Sequence, residues 1–384
     1  MTVAALRGGF ARFFEADPER LHVAAHSHHP WPDVTYDAQL QAWRDATRLV
    51  DRKWGHVLDT VLPETQAWAA RRLGLPQPAS LAVASNTHEL VTRIMSCLDT
   101  PVRILTTGGE FTSFERQVRR LAEADLVSVR RVPVQPADTL TSRLAAEAAA
   151  GAYDLLFVSQ VLYGTGLVVD VAAVVAAVPD ARPYVVVDGY HGFMAVPTAL
   201  GALADRVFYV AGGYKYAMSG EGVCFAHCPP AYGARPRDTG WFADFSSLSE
   251  GAAKVAYGPG GQRFMGATFD PTALYRFNAV QRWLDDAGVG VDDIHTHVRG
   301  LQRRFLGALA ERRPSILGTR TPVVGPSTSG RHGHLLAFDV PQASDVTSAL
   351  ARRGVVVDHR GSLVRFGFGV YHDASDVDRL VDRL

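Results

Sequence analysis

The sequence predicts an α/β protein with one large domain on a mostly parallel sheet and a smaller α+β lobe towards the C-terminus. Three observations carry that reading. From about residue 80, short runs that are apolar on consecutive residues alternate with alanine-rich helical stretches, as strands buried on both faces require. A Gly/Pro-rich break, "AYGPGGQRFMGATFDP" (256–271), interrupts that pattern. Beyond it the order changes to two helical stretches followed by a few strand-like runs.

The strand-like runs are, in order, "LAVAS" (81–85), "RILTT" (103–107), "LVSVRRV" (126–132), "DLLFVSQ" (154–160), "YVVVDGY" (184–190), "VFYVAGG" (207–213) and "GVCFAHC" (222–228). In sheets of this kind ligands gather at the carboxyl ends of the strands. Asn86, Thr87, Ser159, Asp188 and Lys215 all fall at such ends. After the break, "LYRFNAVQRWLDDAG" and "HTHVRGLQRRFLGALAERR" read as helices. Strand-like "HLLAFDV", helical "DVTSALARR" and strand-like "GVVVDH" and "SLVRFGF" complete the second lobe.

The chain has 384 residues, 47% of them hydrophobic, enough for a large core. Acidic and basic residues balance at 39 each, and no basic stripe interleaves with aromatics, so neither a nucleic acid nor a membrane surface is expected as a partner. The N-terminus carries no leader-like apolar core and no run approaches spanning length, which points to a cytoplasmic protein. Cys97, Cys224 and Cys228 are too few for a disulfide framework and lack a second ligand pair, so no metal is expected.

Lysine is nearly absent. Arginines number 36, against only Lys53, Lys215 and Lys254. Arginine keeps its proton, whereas lysine can lose one and condense with a carbonyl, so each lysine is a candidate for chemistry. Lys53 and Lys254 sit in polar or loop-like surroundings and read as solvated. Lys215, in "YVAGGYKYAMSGEG" (209–222), follows an apolar run closed by two glycines. Asp188 closes the run before it. Pyridoxal phosphate (PLP) needs such a pair: a lysine for the Schiff base and a carboxylate that keeps the pyridine nitrogen protonated. Strand-end aspartates also cap helices, so the pair alone leaves both readings open.

Further stretches make the comparison specific. "SNTHELV" (85–91), "GEFTSFERQ" (109–117), "SQVLYGTG" (159–166), "DGYH" (188–191), "YKY" (214–216), "GWF" (240–242), "FMGATFDP" (264–271) and "GVVVDHRGSLVRFGFGVYHDASDV" (354–377) occur in family order. Together the chain resembles the kynureninase-like branch of the class V aminotransferase family, fold type I PLP enzymes. The resemblance implies domains at 46–260 (large, PLP-binding) and 261–384 (small), with segment 1–45 shared between the small domain and the substrate mouth.

It also implies roles. Asn86, Thr87 and Tyr214 would hold the cofactor phosphate, Phe111 would stack on its ring, and Asp188 and His191 would contact the ring as the Asp-x-x-His pair. Lys215 and Asp188 would be the catalytic residues. Gly266 and Thr268 would reach the cofactor of a partner subunit, which makes the expected unit a homodimer with its active site at the interface. Ser27, His28, Tyr163, Trp241 and Arg365 would line the substrate site, with Arg365 on the substrate carboxylate. Read alone, Thr87 is also an N-cap, and Phe111 and His191 are also core residues.

The N-terminal "AAHSHHPWPD" departs from the family, keeping Ser27 but placing His26, His28 and His29 around it. Histidines in a substrate mouth are expected to bind an acidic group or move protons. The implied function is PLP-dependent action on a small amino acid, with hydrolytic cleavage of its side chain as in kynureninase. Transamination to a 2-oxo acid and a catalytically idle PLP-binding regulator are the alternatives. A cysteine desulfurase would need a mobile cysteine in the C-terminal lobe, and none lies beyond Cys228.

Overall fold

A computed structural model describes residues 3–179, 182–245, 254–325 and 331–384. Its strands, in chain order, are β1 (Leu21–His22), β2 (Leu81–Ala84), β3 (Val102–Thr107), β4 (Val127–Val132), β5 (Leu155–Ser159), β6 (Tyr184–Asp188), β7 (Phe208–Gly212), β8 (Cys224–His227), β9 (Leu335–Asp339), β10 (Val355–Val356), β11 (Asp358–Arg360) and β12 (Leu363–Gly367). All seven apolar runs of the first lobe are strands of one sheet, ordered β2-β8-β7-β6-β5-β3-β4. Only β8 runs antiparallel to its neighbours. Every residue of β5 and β7 is buried, which is why those runs carry no polar alternation.

The strand order reverses around β3, because β4 lies on one side of it and β5 on the other. A crevice opens at the carboxyl ends of such neighbouring strands. Chain segments leaving β3 carry Glu110 and Phe111 to that edge. In the next pairs, Ser159 stands opposite Asp188 and Asp188 opposite Val210. The aspartate and the lysine-bearing end of β7 therefore leave adjacent parallel strands on the same edge.

Two apolar clusters divide the described residues. The larger contains the seven-stranded sheet and its covering helices, and includes Leu274, Phe277 and Val280 of helix Thr272–Asp286. That helix runs along Val34–Leu49. The sequence expects a domain boundary at 261; the apolar face of the helix that follows packs with the larger cluster, as do Val324, Val370 and Tyr371. The smaller cluster joins Val298, Leu301 and Phe305 of helix Val291–Arg312 to Phe338, Phe366 and Phe368 around the antiparallel sheet β11-β12-β9. Segment 1–45 is split between them: Phe10 and Ala42 enter the larger cluster, Leu21 and Val23 the smaller. β1 pairs in parallel with β10, and Ala24 bridges to Gly367, which brings residues 26–29 beside β12. Among the described residues no helix is long and apolar enough to cross a membrane.

Candidate active site

The turn after β7 presents Lys215. Space there is tight: a Cβ at Gly212 would lie 2.4 Å from the Cys224 sulfur, and one at Gly213 2.2 Å from Ser219 Oγ. Side chains at these two positions would push the turn outward, so the glycines let it fold back onto the sheet. Lys215 is buried, with Nζ 2.8 Å from His191 Nε2 and 3.2 Å from Nδ1. The rings of Tyr190, Tyr214 and Phe111 stand 5.1, 5.5 and 5.5 Å from the same nitrogen.

Burial brings the Lys215 ammonium down to about 7, with the Arg365 charge adding to it and Asp188 opposing. A neutral amine is then well populated near neutral pH. His191 is held far below its ordinary range, by burial first and Lys215 second, so it is a neutral imidazole beside the amine. Burial raises the Asp188 carboxyl, against the Tyr190 N–H that donates to it at 2.9 Å and the charge of Lys215.

Helix Thr87–Met95 starts where β2 ends. The sequence allows Thr87 as its cap, but the structure gives that position to Asn86, which has extended backbone angles and accepts the Glu89 N–H at 3.0 Å. The reason is the turn leaving β2, which ends its extended backbone at Asn86 and makes Thr87 the first helical residue. The Asn86 amide in turn donates to Glu89 Oε1 at 2.8 Å. With Asn86 occupied and the Thr87 N–H directed at the Cys224 sulfur, the His88 N–H is the first-turn donor placed for an anion. Tyr214 lies across the β7 turn, tilted on Tyr190 with centroids 4.9 Å apart and stacked with His28 at 5.6 Å.

Phe111 is partly exposed at the β3 edge and meets Tyr163 edge-on at 5.3 Å. Tyr163 leads to Arg365, whose guanidinium carbon is 6.0 Å from its ring and whose Nη1 donates to the Tyr163 carbonyl at 2.5 Å. The rest of the Arg365 fork is engaged by Asp358, through Nε at 2.8 Å and through Nη2. Asp358 stands opposite Arg365 in the β11–β12 register and also accepts from His26 Nε2 at 2.9 Å. Burial would raise the Asp358 carboxyl, but the bonds from His26 and Arg365 outweigh it and hold the group well below the usual carboxylate range.

The N-terminal histidines correct a sequence expectation. His26 and His29 are 0% and 3% exposed rather than open to solvent, and burial lowers both to about 4; His26 stands against Asp358, beside Arg365. The pairing of β1 with β10 draws this segment into the fold, where His29 packs edge-on against Tyr371. His28 alone of the three is exposed, beside a half-buried Ser27.

Trp241, Gly266 and Thr268 form a separate group. The Trp241 indole is 42% exposed and donates to Thr268 Oγ1 at 3.2 Å, while Gly266 O accepts from Phe242 N at 3.1 Å. Among the described residues, none of their hydrogen bonds or ring contacts reaches Lys215, Asp188 or Arg365. Within one chain Trp241 and Thr268 are exposed and Gly266 is buried beneath them, apart from the lysine site.

Two carboxylates, one buried and one half-buried, escape the sequence reading. Glu110 accepts from Thr107 Oγ1 at 2.6 Å, from Ser159 N at 3.0 Å and from Ser159 Oγ at 2.6 Å. Burial raises it to about 7, with a contribution from Asp188. Asp358 is the other. The available signals were the lone acid in "GGEF" between two strand ends and the acid in "VVVDHR" just before an arginine strand.

A lysine turn beside a strand-end carboxylate, at the crevice of a seven-stranded mostly parallel sheet, defines a fold type I PLP-dependent enzyme. The chain belongs to the aminotransferase class-V family, whose model matches residues 81–380. Solved structures share the fold. A C-DES lysine-to-alanine mutant with glycine covalently linked to its PLP cofactor is similar at 16% identity, with a TM-score of 0.81 and 98% of each chain covered. The cysteine desulfurase CsdA from Escherichia coli is 18% identical with a TM-score of 0.79, over 100% of this chain and 97% of that one. A cysteine desulfurase from Thermococcus onnurineus NA1 is 17% identical with a TM-score of 0.80, over 98% and 96%. No curated protein sequence matches at a significant level.

Proposed function

We propose that this class V enzyme binds PLP at Lys215 and cleaves the side chain of an amino acid hydrolytically, in the manner of kynureninases. The donor set suits the cofactor. Asp188 accepts a single N–H and so has capacity for a protonated ring nitrogen. Thr87, the His88 N–H and the Tyr214 hydroxyl suit a phosphate, the last because burial raises it to about 12 and keeps it a donor. The Phe111 ring supplies a flat wall.

When bound, PLP supplies an electron sink for charge developing on the substrate α-carbon. The residues do the rest. Lys215, with a proton affinity near neutrality, takes a proton from the α-carbon and returns it. His191 beside it keeps the amine oriented and accepts from it. Asp188 holds positive charge on the ring nitrogen. Arg365 takes the carboxylate and Tyr163 flanks the side chain.

The observation that carries the kynureninase-like reading is the Asp188-x-x-His191 spacing, which sets His191 2.8 Å from the lysine amine. A desulfurase that passes sulfur to a cysteine is less favoured. Cys224 and Cys228 are buried, Cys97 is partly buried, and burial raises all three thiols to about 12. Transamination is the second reading, since it needs only the same lysine and no acid at the γ-carbon.

Incubating the PLP-loaded enzyme with a panel of kynurenine, 3-hydroxykynurenine, cystine and simple amino acids, with and without pyruvate or 2-oxoglutarate, separates these outcomes. Alanine and an anthranilate formed without a keto acid are expected. Product that appears only with a keto acid would establish transamination, and pyruvate with sulfide or persulfide would establish a carbon–sulfur lyase.

A further inference from the structure

Arg365 is the arginine proposed for the substrate carboxylate, yet it does not stand as a free cation. It is 2% exposed and forms a two-point ion pair with Asp358, while its Nη1 serves the Tyr163 carbonyl. A guanidinium has five N–H donors. Three are committed, leaving one on Nη1 and one on Nη2. That is enough for one carboxylate, bound by hydrogen bonds to a pair whose net charge is already zero.

The surroundings add little positive charge. His26 donates to Asp358 through Nε2, and its Nδ1 is buried without a partner against Gly367, where a Cβ would lie 2.3 Å away, so it is a neutral imidazole. His29 is buried and neutral as well. Arg360 is the nearest further cation, 3.9 Å from Asp358, but its side chain is 49% exposed and water screens it. A cavity of about 370 Å³ opens beside Tyr163; Arg365 and Lys215 do not line it, and its walls include Val134, Leu162, Thr165, Leu363 and Arg360. Apart from Arg360, those side chains are apolar or uncharged.

We infer that Asp358 is the specificity-determining residue of this site: by holding Arg365 in a neutral pair, it admits one carboxylate and rejects a second anionic group, selecting amino acids with uncharged side chains. The inference rests on the reading of Lys215 as the PLP lysine and Arg365 as the carboxylate partner. Two effects compete when Asp358 is neutralised. Loss of a bond loosens Arg365, but the side chain stays packed and tied to Tyr163. Removing an anion roughly 6 Å from a second substrate anion, in surroundings of effective dielectric about 20, changes binding by about a hundredfold. Charge is the larger effect, so Asp358→Asn should favour acidic ligands.

The test titrates the PLP absorbance of the loaded protein with L-alanine, L-aspartate and ethylamine, which lacks a carboxylate. Wild type is expected to bind L-alanine better than either of the others. Asp358→Asn is expected to improve L-aspartate relative to L-alanine by about tenfold or more, with ethylamine unchanged. Asp358→Glu, which keeps the charge, should keep the wild-type preference, and thermal midpoints report folding of each variant. A wild type that prefers L-aspartate overturns the inference without any variant. So does an aspartate-to-alanine ratio that Asp358→Asn leaves unchanged, or a parallel loss of all three ligands. Wild-type protein without PLP absorbance would instead overturn the cofactor reading beneath it.

Discussion

The amine of Lys215 lies 2.8 Å from Nε2 of His191, on a segment that leaves the neighbouring strand. Neither partner carries a full charge at neutral pH, since burial lowers both. A lysine lowered to about 7 is neutral above that pH and protonated below it. The rate at which apo-protein takes up PLP is therefore expected to rise with pH and level off just above 7. A rise that continues towards pH 10, as for a solvated lysine, would contradict the buried-amine account. Stopped-flow absorbance across pH 5.5–10 reads it, in the same units for both cases.

Asp188→Asn should retain bound cofactor but lose most turnover. An amide cannot stabilise a protonated ring nitrogen as a carboxylate does, while the phosphate and lysine contacts are untouched. Cofactor stoichiometry and kcat, measured on the same preparation, check both halves. Wild-type kcat in the variant would remove Asp188 from the proposed role.

Glu110 ties Thr107 at the end of β3 to Ser159 at the end of β5. Its carboxyl is raised to about 7, chiefly by burial, against an ordinary value near 4.5. A raised carboxyl binds more protons folded than unfolded between those values, so its contribution to stability is present at low pH and is lost as pH rises from about 4.5 to 7. The loss is about 3 kcal/mol. Glu110→Gln should flatten that part of the pH–stability profile in urea unfolding, because its amide can donate to Thr107 Oγ1 and still accept from Ser159. An unchanged profile would assign the acid side of the curve to other groups.

The exposed pair Trp241 and Thr268, held together by an indole hydrogen bond of 3.2 Å, is expected at a subunit boundary. Light scattering should give twice the chain mass of 41.6 kDa. Trp241→Ala should shift the equilibrium towards monomer and loosen cofactor retention together. A wild-type monomer with full PLP occupancy would show that the site is complete in one chain.

Much of the fold is legible in the sequence. Seven apolar runs became seven strands of one sheet because a parallel sheet covered on both faces imposes continuous hydrophobicity, a one-dimensional signal. Lys215 stood out because the chain writes arginine elsewhere. Less was legible where position depends on distant pairing. His26 and His29 read as mouth residues because nothing local announces that β1 will join β10 and bury them. The Arg365–Asp358 pair was hidden for the same reason: seven residues apart in sequence, they meet only through the β11–β12 register. Helix Thr272–Asp286 follows a Gly/Pro-rich break and so looked like the start of a new lobe, although its apolar face belongs to the large core.

Lys215 is proposed to carry the cofactor, and reductive trapping identifies the residue that does. Protein loaded with PLP is reduced with borohydride, digested and mapped by mass spectrometry. The pyridoxyl group is expected on the peptide containing Lys215 and on no other. Its recovery on Lys53 or Lys254, or retention of a PLP-derived label by Lys215→Ala, would contradict the account.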